Sequence, residues 1–309
     1  MAAGWLVARS HPEAILRSLR TALPGIILAA FIHVFAMLAS ARIWESLLPR
    51  ASRPSLRGML YLVWIRESIN GLLPVARIGG EIVSFRLLRW RAVRAPAAAA
   101  SLVVDIQIFV IAQFIWTLVS VAFLLGRADS SAVRLAGELL WGVGLLGPLV
   151  LVWILVQRAR PLERLVRHIN RFAGGKLTGL VGQTARVDRH VRAIWRRRGT
   201  LVACLVVWQP LQFLVVSLEL WVALQFLGSP LSFPRTLALE ALVQAVATAA
   251  FFVPAGLGVQ EGGFVLIGGA LGLSAEACLA LAGARRLRDL IVFLPGLAAW
   301  QLAEKPTTP

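Results

Sequence analysis

Runs of about twenty or more apolar residues, the length that carries a helix across a hydrocarbon core, recur at 24–48, 97–125, 138–157, 200–227 and 274–302. Such a pattern excludes an ordinary soluble domain. With 58% of its 309 residues hydrophobic and only 15% charged, the chain reads as one all-α, polytopic membrane domain. Two further apolar segments, 58–90 and 236–272, are interrupted. Each has an apolar arm, a proline/glycine elbow and a second arm too short to cross comfortably, which predicts a re-entrant broken-helix hairpin.

The two elbows correspond loosely. Residues 67–81 read ESINGLLPVARIGGE and residues 250–263 read AFFVPAGLGVQEGG. In both a short apolar run ends at a proline, Pro74 or Pro254, and a carboxylate follows seven residues later, Glu81 or Glu261. Proline removes a backbone donor and disfavours helix in the residue before it, and clustered glycines lower helix propensity. Backbone exposed by such a break cannot be satisfied by lipid, so the break must be packed in protein or line a polar cavity. Paired breaks in corresponding halves are a transporter's pattern and point to a binding site.

Arginine sets the orientation. Arg50, Arg53 and Arg57 precede the first hairpin, and Arg86, Arg89, Arg91 and Arg94 follow it. Residues 158–198 hold twelve Lys or Arg against Glu163 and Asp188. Placing all three groups in the cytoplasm makes the first hairpin enter from inside and the second from outside, so the halves are inverted. The N-terminus then lies outside despite Arg9, Arg17 and Arg20, which points to a further leading helix ahead of this sequence. Within the basic loop, Leu162, Leu165, Val166, Ile169 and Phe172 share one helical face. They read either as an amphipathic helix on anionic headgroups or as a solvated linker around Gly174 and Gly175.

Ionisable side chains inside spans are costly unless paired or hydrated and are functional candidates by default. Asn70 and Glu67 lie one and two turns before Pro74, with Arg77 and Glu81 in the elbow beside Gly79 and Gly80. Asp105, nine residues beyond Pro96, falls about 13 Å into its span. Glu240, Gln244 and Thr248 line one face of the arm leading to Pro254, and Glu261 follows Gly258. Arg285, Arg286, Arg288 and Asp289 sit midway along the last apolar run. Arginines, helix-start N–H donors near Gly80 and Gly258, and balancing carboxylates suit a phosphate-bearing headgroup, which guanidinium matches with two parallel hydrogen bonds. Two alternatives stay open: that the charges are structural ion pairs locking the hairpins, and that the last run is two pieces with its arginines at the interface.

Other classes fit less well. The charge of +17 follows from the positive-inside rule, and its arginines lie between apolar runs rather than on an aromatic-laced groove, so nucleic acid is not an expected partner. His11, His33, His168 and His190 are scattered, with no HExxH motif or nucleophile elbow, and no GxxxxGK[ST] phosphate loop occurs. Cys204 and Cys278 read as small buried residues. No cofactor or metal is expected. A scaffold for lipid-synthesising enzymes, docked on the basic loop, is the second reading, and a carboxylate-based lipid transferase using Glu81 or Asp105 the third.

ESINGLLPVARIGGE followed by ASLVVD, with FFVPAGLGVQEGGF and ARRLRDLIVFLPG, resembles the flippase-like transmembrane domain of lysylphosphatidylglycerol synthases and its stand-alone relatives. The nearest branch is the hopanoid-biosynthesis-associated membrane proteins. The resemblance runs from about Pro24 onward. It implies a bacterial inner-membrane protein that moves or accommodates lipids between leaflets, with two re-entrant elements around a central cavity. By motif it marks Asn70, Pro74, Arg77, Gly79, Gly80, Glu81 and Asp105, then Pro254, Gly258, Glu261, Arg285, Arg286, Arg288 and Asp289. The soluble aminoacyl-transferase domain is lacking, so lysyl transfer is not expected. The family's first membrane helix is also not found in the sequence.

Overall fold

The computed structural model describes residues 12–73, 79–126, 178–250 and 258–304. The expected span 138–157, the apolar face within 162–172, the elbow prolines Pro74 and Pro254, and Arg77 lie outside the described residues.

Helices build everything described. They are α1 Pro12–Thr21, α2 Leu23–Leu47, α3 Leu56–Leu72, α4 Gly79–Trp90, α5 Ala95–Leu125, α6 Thr178–Trp195, α7 Arg198–Ala203, α8 Gln209–Phe226, α9 Phe233–Ala249, α10 Val259–Ala270 and α11 Ala275–Glu304. A single 3-10 turn, Arg50–Ser52, lies between α2 and α3, and a π turn, Cys204–Trp208, joins α7 to α8. Among the described residues there is no strand. Among the described residues, three continuous helices are long and apolar enough to cross a membrane: Leu23–Leu47, Ala95–Leu125 and Arg198–Phe226.

Local chemistry sets the boundaries. Prolines that cannot donate within a helix open α2, α5 and α9 in their first turn, where the backbone N–H has no helical partner anyway, whereas Pro210 lies inside a continuous helix directly after the π turn. Ser55 caps α3 by accepting from the Gly58 N–H at 3.3 Å, and Ser274 does the same for Ala277 at 3.1 Å ahead of α11. At the end of α10 the chain reverses through Gly272 at φ +94°, a conformation in which a Cβ would be strained.

The run carrying Arg285, Arg286, Arg288 and Asp289 is one helix. α11 continues unbroken from Ala275 to Glu304 with Pro295 inside it. The alternative of two pieces with the arginines at an interface is therefore set aside.

The two interrupted segments have matching dimensions. α3 and α9 are each 17 residues long, α4 and α10 each 12, and the helices that follow, α5 and α11, are 31 and 30. Their packing also matches: α3 lies along α11, α9 along α5, and the helices that precede the two segments, α2 and α8, form the most extensive helix pair. One apolar core gathers α2, α3, α4 and α5 around Trp44, Met59, Leu62 and Leu88. A second gathers α5, α8, α9, α10 and α11 around Leu224, Leu242, Phe264 and Cys278. Both cysteines are free and buried.

The basic connections collect at one end of the bundle. Arg53 donates to the Ser46 and Leu48 carbonyls, Arg91 donates to the Gly58 carbonyl at 2.8 Å, and Leu47, Ile194 and Leu201 share a third core that brings α6 and α7 to the same end. So α3 begins and α4 ends on the arginine-rich side. Conversely, Leu231 before α9 and Leu271 after α10 lie together with Leu124, the last turn of α5. Large apolar side chains such as Phe31, Phe35, Val206 and Leu266 point outward, as expected of a surface solvated by lipid tails.

Gly80 is the tightest point between the first arm and its partner. A Cβ there would lie 2.5 Å from the Arg66 carbonyl oxygen and 2.7 Å from the Asn70 side chain. At Gly262 nothing lies within 4 Å. Gly80→Ala is therefore expected to cost about 1–3 kcal/mol through forced separation of α3 and α4, seen as a lower thermal midpoint in detergent. Gly262→Ala should leave the midpoint unchanged or raise it, since alanine favours helix.

Candidate functional site

Most of the charged side chains within the bundle pair across elements. In the first half, Arg66 on α3 donates to Asp105 on α5 at 2.6 Å and to Ser40 on α2 at 3.2 Å. Its guanidinium lies 4.8 Å from the Trp44 ring centre, a cation–π contact that partly replaces lost hydration. Glu81 on α4 stands 4.0 Å from the same guanidinium, and its Oε2 has no hydrogen-bond partner. Asn70 accepts from the Gly80 N–H at 2.9 Å, closing the start of α4 onto the end of α3.

In the second half the polarity is reversed. Glu240 on α9 receives two parallel bonds from Arg285 on α11, at 2.6 and 3.0 Å, with only 3% of the carboxylate side chain exposed. Arg286 donates to Glu261 on α10 at 3.3 Å. The other oxygen of Glu261 accepts from the Gly258 N–H at 2.8 Å, and Gly258 reaches this position with φ +82°. Asp105 and Arg285 each stand eleventh in their long helices. Thus the long helix contributes the anion in one half and the cation in the other, while the arm supplies the complement.

A third group ties the halves together. Arg288 on α11 lies 2.6 Å from the His33 ring on α2 and 3.4 Å from Glu219 on α8, and its other nitrogen lies 3.4 Å from Asp289. His33 in turn approaches Glu219 at 3.0 Å and Glu67 on α3 at 3.4 Å. Because Glu67 follows Arg66 in sequence, the two clusters adjoin. Glu219, Glu240, Arg285 and Arg288 line a cavity between α2, α8, α9 and α11, closed on its apolar side by Ile26 and Leu281. Its volume of about 20 Å³ holds about one water, so in this conformation no headgroup fits.

The sequence-derived candidates fall into three positions. Glu240, Arg285 and Arg288 surround the cavity, with Asp289 beside Arg288. Asn70, Gly79, Gly80, Glu81 and Asp105 gather around Arg66 at the end of α3 and the start of α4, and Gly258, Glu261 and Arg286 join α10 to the middle of α11. Gln244 is half-buried on α9. The N–H groups of Gly80 and Gly258, expected as anion donors, are already taken by Asn70 and Glu261. Sequence reasoning missed Arg66, Glu219 and the part played by His33. All three are ionisable residues within apolar runs, so the same cost argument applied to every span would have found them.

The family pattern described as the lysylphosphatidylglycerol synthase TM region matches residues 1–296. The chain belongs to this family. The match begins well before Pro24, so the lysylphosphatidylglycerol synthase TM region takes in α1 as well as the bundle. Membership makes the chain a membrane protein linked to lipid handling. No curated protein matches it, and no solved structure does.

Breaking one partner of a buried pair strands a charge, whereas replacing both by apolar groups is often neutral. Glu240→Leu alone should lower the stability of the detergent-solubilised protein by about 3 kcal/mol. Glu240→Leu with Arg285→Met should restore most of that loss, read as the midpoint of denaturant unfolding in a double-mutant cycle.

Proposed function

We propose that the protein is a non-enzymatic, flippase-like transporter that moves a polar or phosphate-bearing lipid between leaflets of a bacterial inner membrane. Membrane lipids are then its partners. The observation that carries this proposal is the row of arginines on α11, Arg288 buried and the other two partly so, each held by a carboxylate from a different element: Arg285 by Glu240, Arg286 by Glu261 and Arg288 by Glu219. A lipid phosphate offers a guanidinium the same two-oxygen geometry as a carboxylate. It can therefore displace one, and each displacement frees a helix that the pair had fixed. Arg286 is the most open of the three, with 26% of its side chain exposed, and is the first contact for an arriving headgroup. Arg285 and Arg288 receive it deeper.

Alternating access is the motion this assignment requires. In its support, α3 and α4 begin and end at the arginine-rich side, α9 and α10 at the opposite side, and the element lengths repeat. We therefore read the two interrupted segments as re-entrant hairpins of an inverted repeat, with the arginine-rich end cytoplasmic by the positive-inside rule. Exchange driven by an ion gradient or passive scrambling supplies the energetics, because the sequence carries no nucleotide-binding loop. The hopanoid association implied by the elbow motifs belongs to this proposal as a pathway link, since no residue reads as a hopanoid contact.

In proteoliposomes carrying fluorescent phosphatidylglycerol, the wild type should exchange the probe between leaflets faster than empty liposomes. Arg285→Lys, which keeps the charge but loses the fork, and Glu261→Gln should each slow exchange by about tenfold. Equal rates in wild type, variants and protein-free vesicles, with all proteins folded, would refute transport.

A further inference from the structure

The pairs invoked above leave one buried group without a role, the imidazole of His33. It is 8% exposed, in the middle of α2, edge-on to Phe293 with ring centres 5.6 Å apart. Charged groups meet it from three other helices: Glu219 from α8, Glu67 from α3 and Arg288 from α11. From α5, Asp105 is held by Arg66. Among the described residues, no titratable group of α1, α5 or the π turn is paired with the ring.

The geometry at Nδ1 is a competition. Arg288 Nη1 lies 2.6 Å from this nitrogen, and the two Glu219 oxygens lie 3.0 and 3.2 Å from it. A ring nitrogen presents either a lone pair or a proton, so it can serve the guanidinium or the carboxylate but not both. In the neutral ring, Nδ1 accepts from Arg288 and the Nε2–H lies 3.4 Å from Glu67 without making a hydrogen bond to it. The second proton therefore enters at Nδ1, where the Glu219 oxygens stand ready to accept it. In the protonated ring, the Nδ1–H donates to Glu219 and faces an arginine N–H. Two cations at that separation repel, and Arg288 must withdraw toward Asp289 and the cavity that it lines with Arg285.

We infer that His33 is a proton-binding site that controls Arg288: the neutral ring holds the guanidinium, and the protonated ring releases it to an anionic headgroup in the cavity between α2, α8, α9 and α11. This inference rests on the proposed handling of a phosphate-bearing lipid and adds its coupling ion. Proton and headgroup then favour each other's binding, and by linkage the headgroup strengthens proton binding by the same factor.

The test uses the full chain, labelled with ¹⁵N-histidine, in nanodiscs of phosphatidylcholine alone or with phosphatidylglycerol. The His33 resonance is assigned by its loss in His33→Gln. For a coupling of about tenfold, the His33 titration midpoint should rise by about one pH unit more with phosphatidylglycerol than that of His190 on the basic helix α6, the reference for surface potential. Equal shifts at His33 and His190, or no titration of His33, would overturn the inference. A shift produced by inorganic phosphate in phosphatidylcholine discs, and not by phosphatidylglycerol, would overturn the headgroup as the ligand.

Leaflet exchange measured across pH separates this inference from the transport proposal. Exchange of phosphatidylglycerol by the wild type should rise as pH falls, and His33→Gln should flatten the profile whatever its absolute rate. Exchange with the same pH profile in both proteins would remove the proton site and leave transport standing. A lipid-dependent His33 midpoint without any exchange would do the reverse.

Discussion

A guanidinium removed from water must be given a carboxylate, and the fold of this chain is arranged around that demand. Desolvating each ion costs several kcal/mol, which is recovered only by close and well-directed pairing. Arg66 with Asp105, Arg285 with Glu240 and Arg286 with Glu261 each join different helices. The arms of the interrupted segments are short, and each pair shares an apolar core, Leu62 and Ile69 with Leu88 in the first and Leu242 and Val243 with Phe264 in the second. Packing and ion pairs together therefore fix where α4 and α10 sit. Exchange of partners is the cheapest rearrangement available to such a network, since a charge that changes partner is never left alone.

The reversal of polarity between halves gives the network a direction. α5 presents an aspartate at the position where α11 presents an arginine. An anionic ligand is repelled by the first long helix and attracted by the second, although both hold their arms in the same manner. Under the proposed transport, the first half acts as a fixed frame through Arg66, Trp44 and Ser40, while the second bears the cations that a headgroup can reach.

Much of this was legible in the sequence. The apolar runs announce the spans, and α2, α5 and the joined α7–α8 helix follow the boundaries that length and proline placement predict. The elbows themselves lie outside the described residues, but the ends of α3 at Leu72 and of α9 at Ala249 were legible because proline disfavours helix in the residues before it. Pairing was less so. Asp105 and Glu240 stood out as costly residues, but their partners depend on helix packing that no periodicity encodes. Arg66 was overlooked beside Glu67 because the polar stretch seemed to begin at the carboxylate. Glu219 escapes notice because one charge in the apolar run 200–227 barely lowers its mean hydropathy. The backbone donors at Gly80 and Gly258 were misjudged for a related reason: a helix start looks vacant in sequence until the side chain that folds back onto it is known.

The π turn at Cys204–Trp208 sets which way the end of its span faces. One residue more per turn rotates everything beyond it about the helix axis relative to what precedes. Cys204, at its start, meets Ser46, and Glu219, beyond it, meets His33. Without that extra residue the carboxylate would stand about 100° away around the axis, so the phase of a single turn decides where a charge ends up inside the bundle.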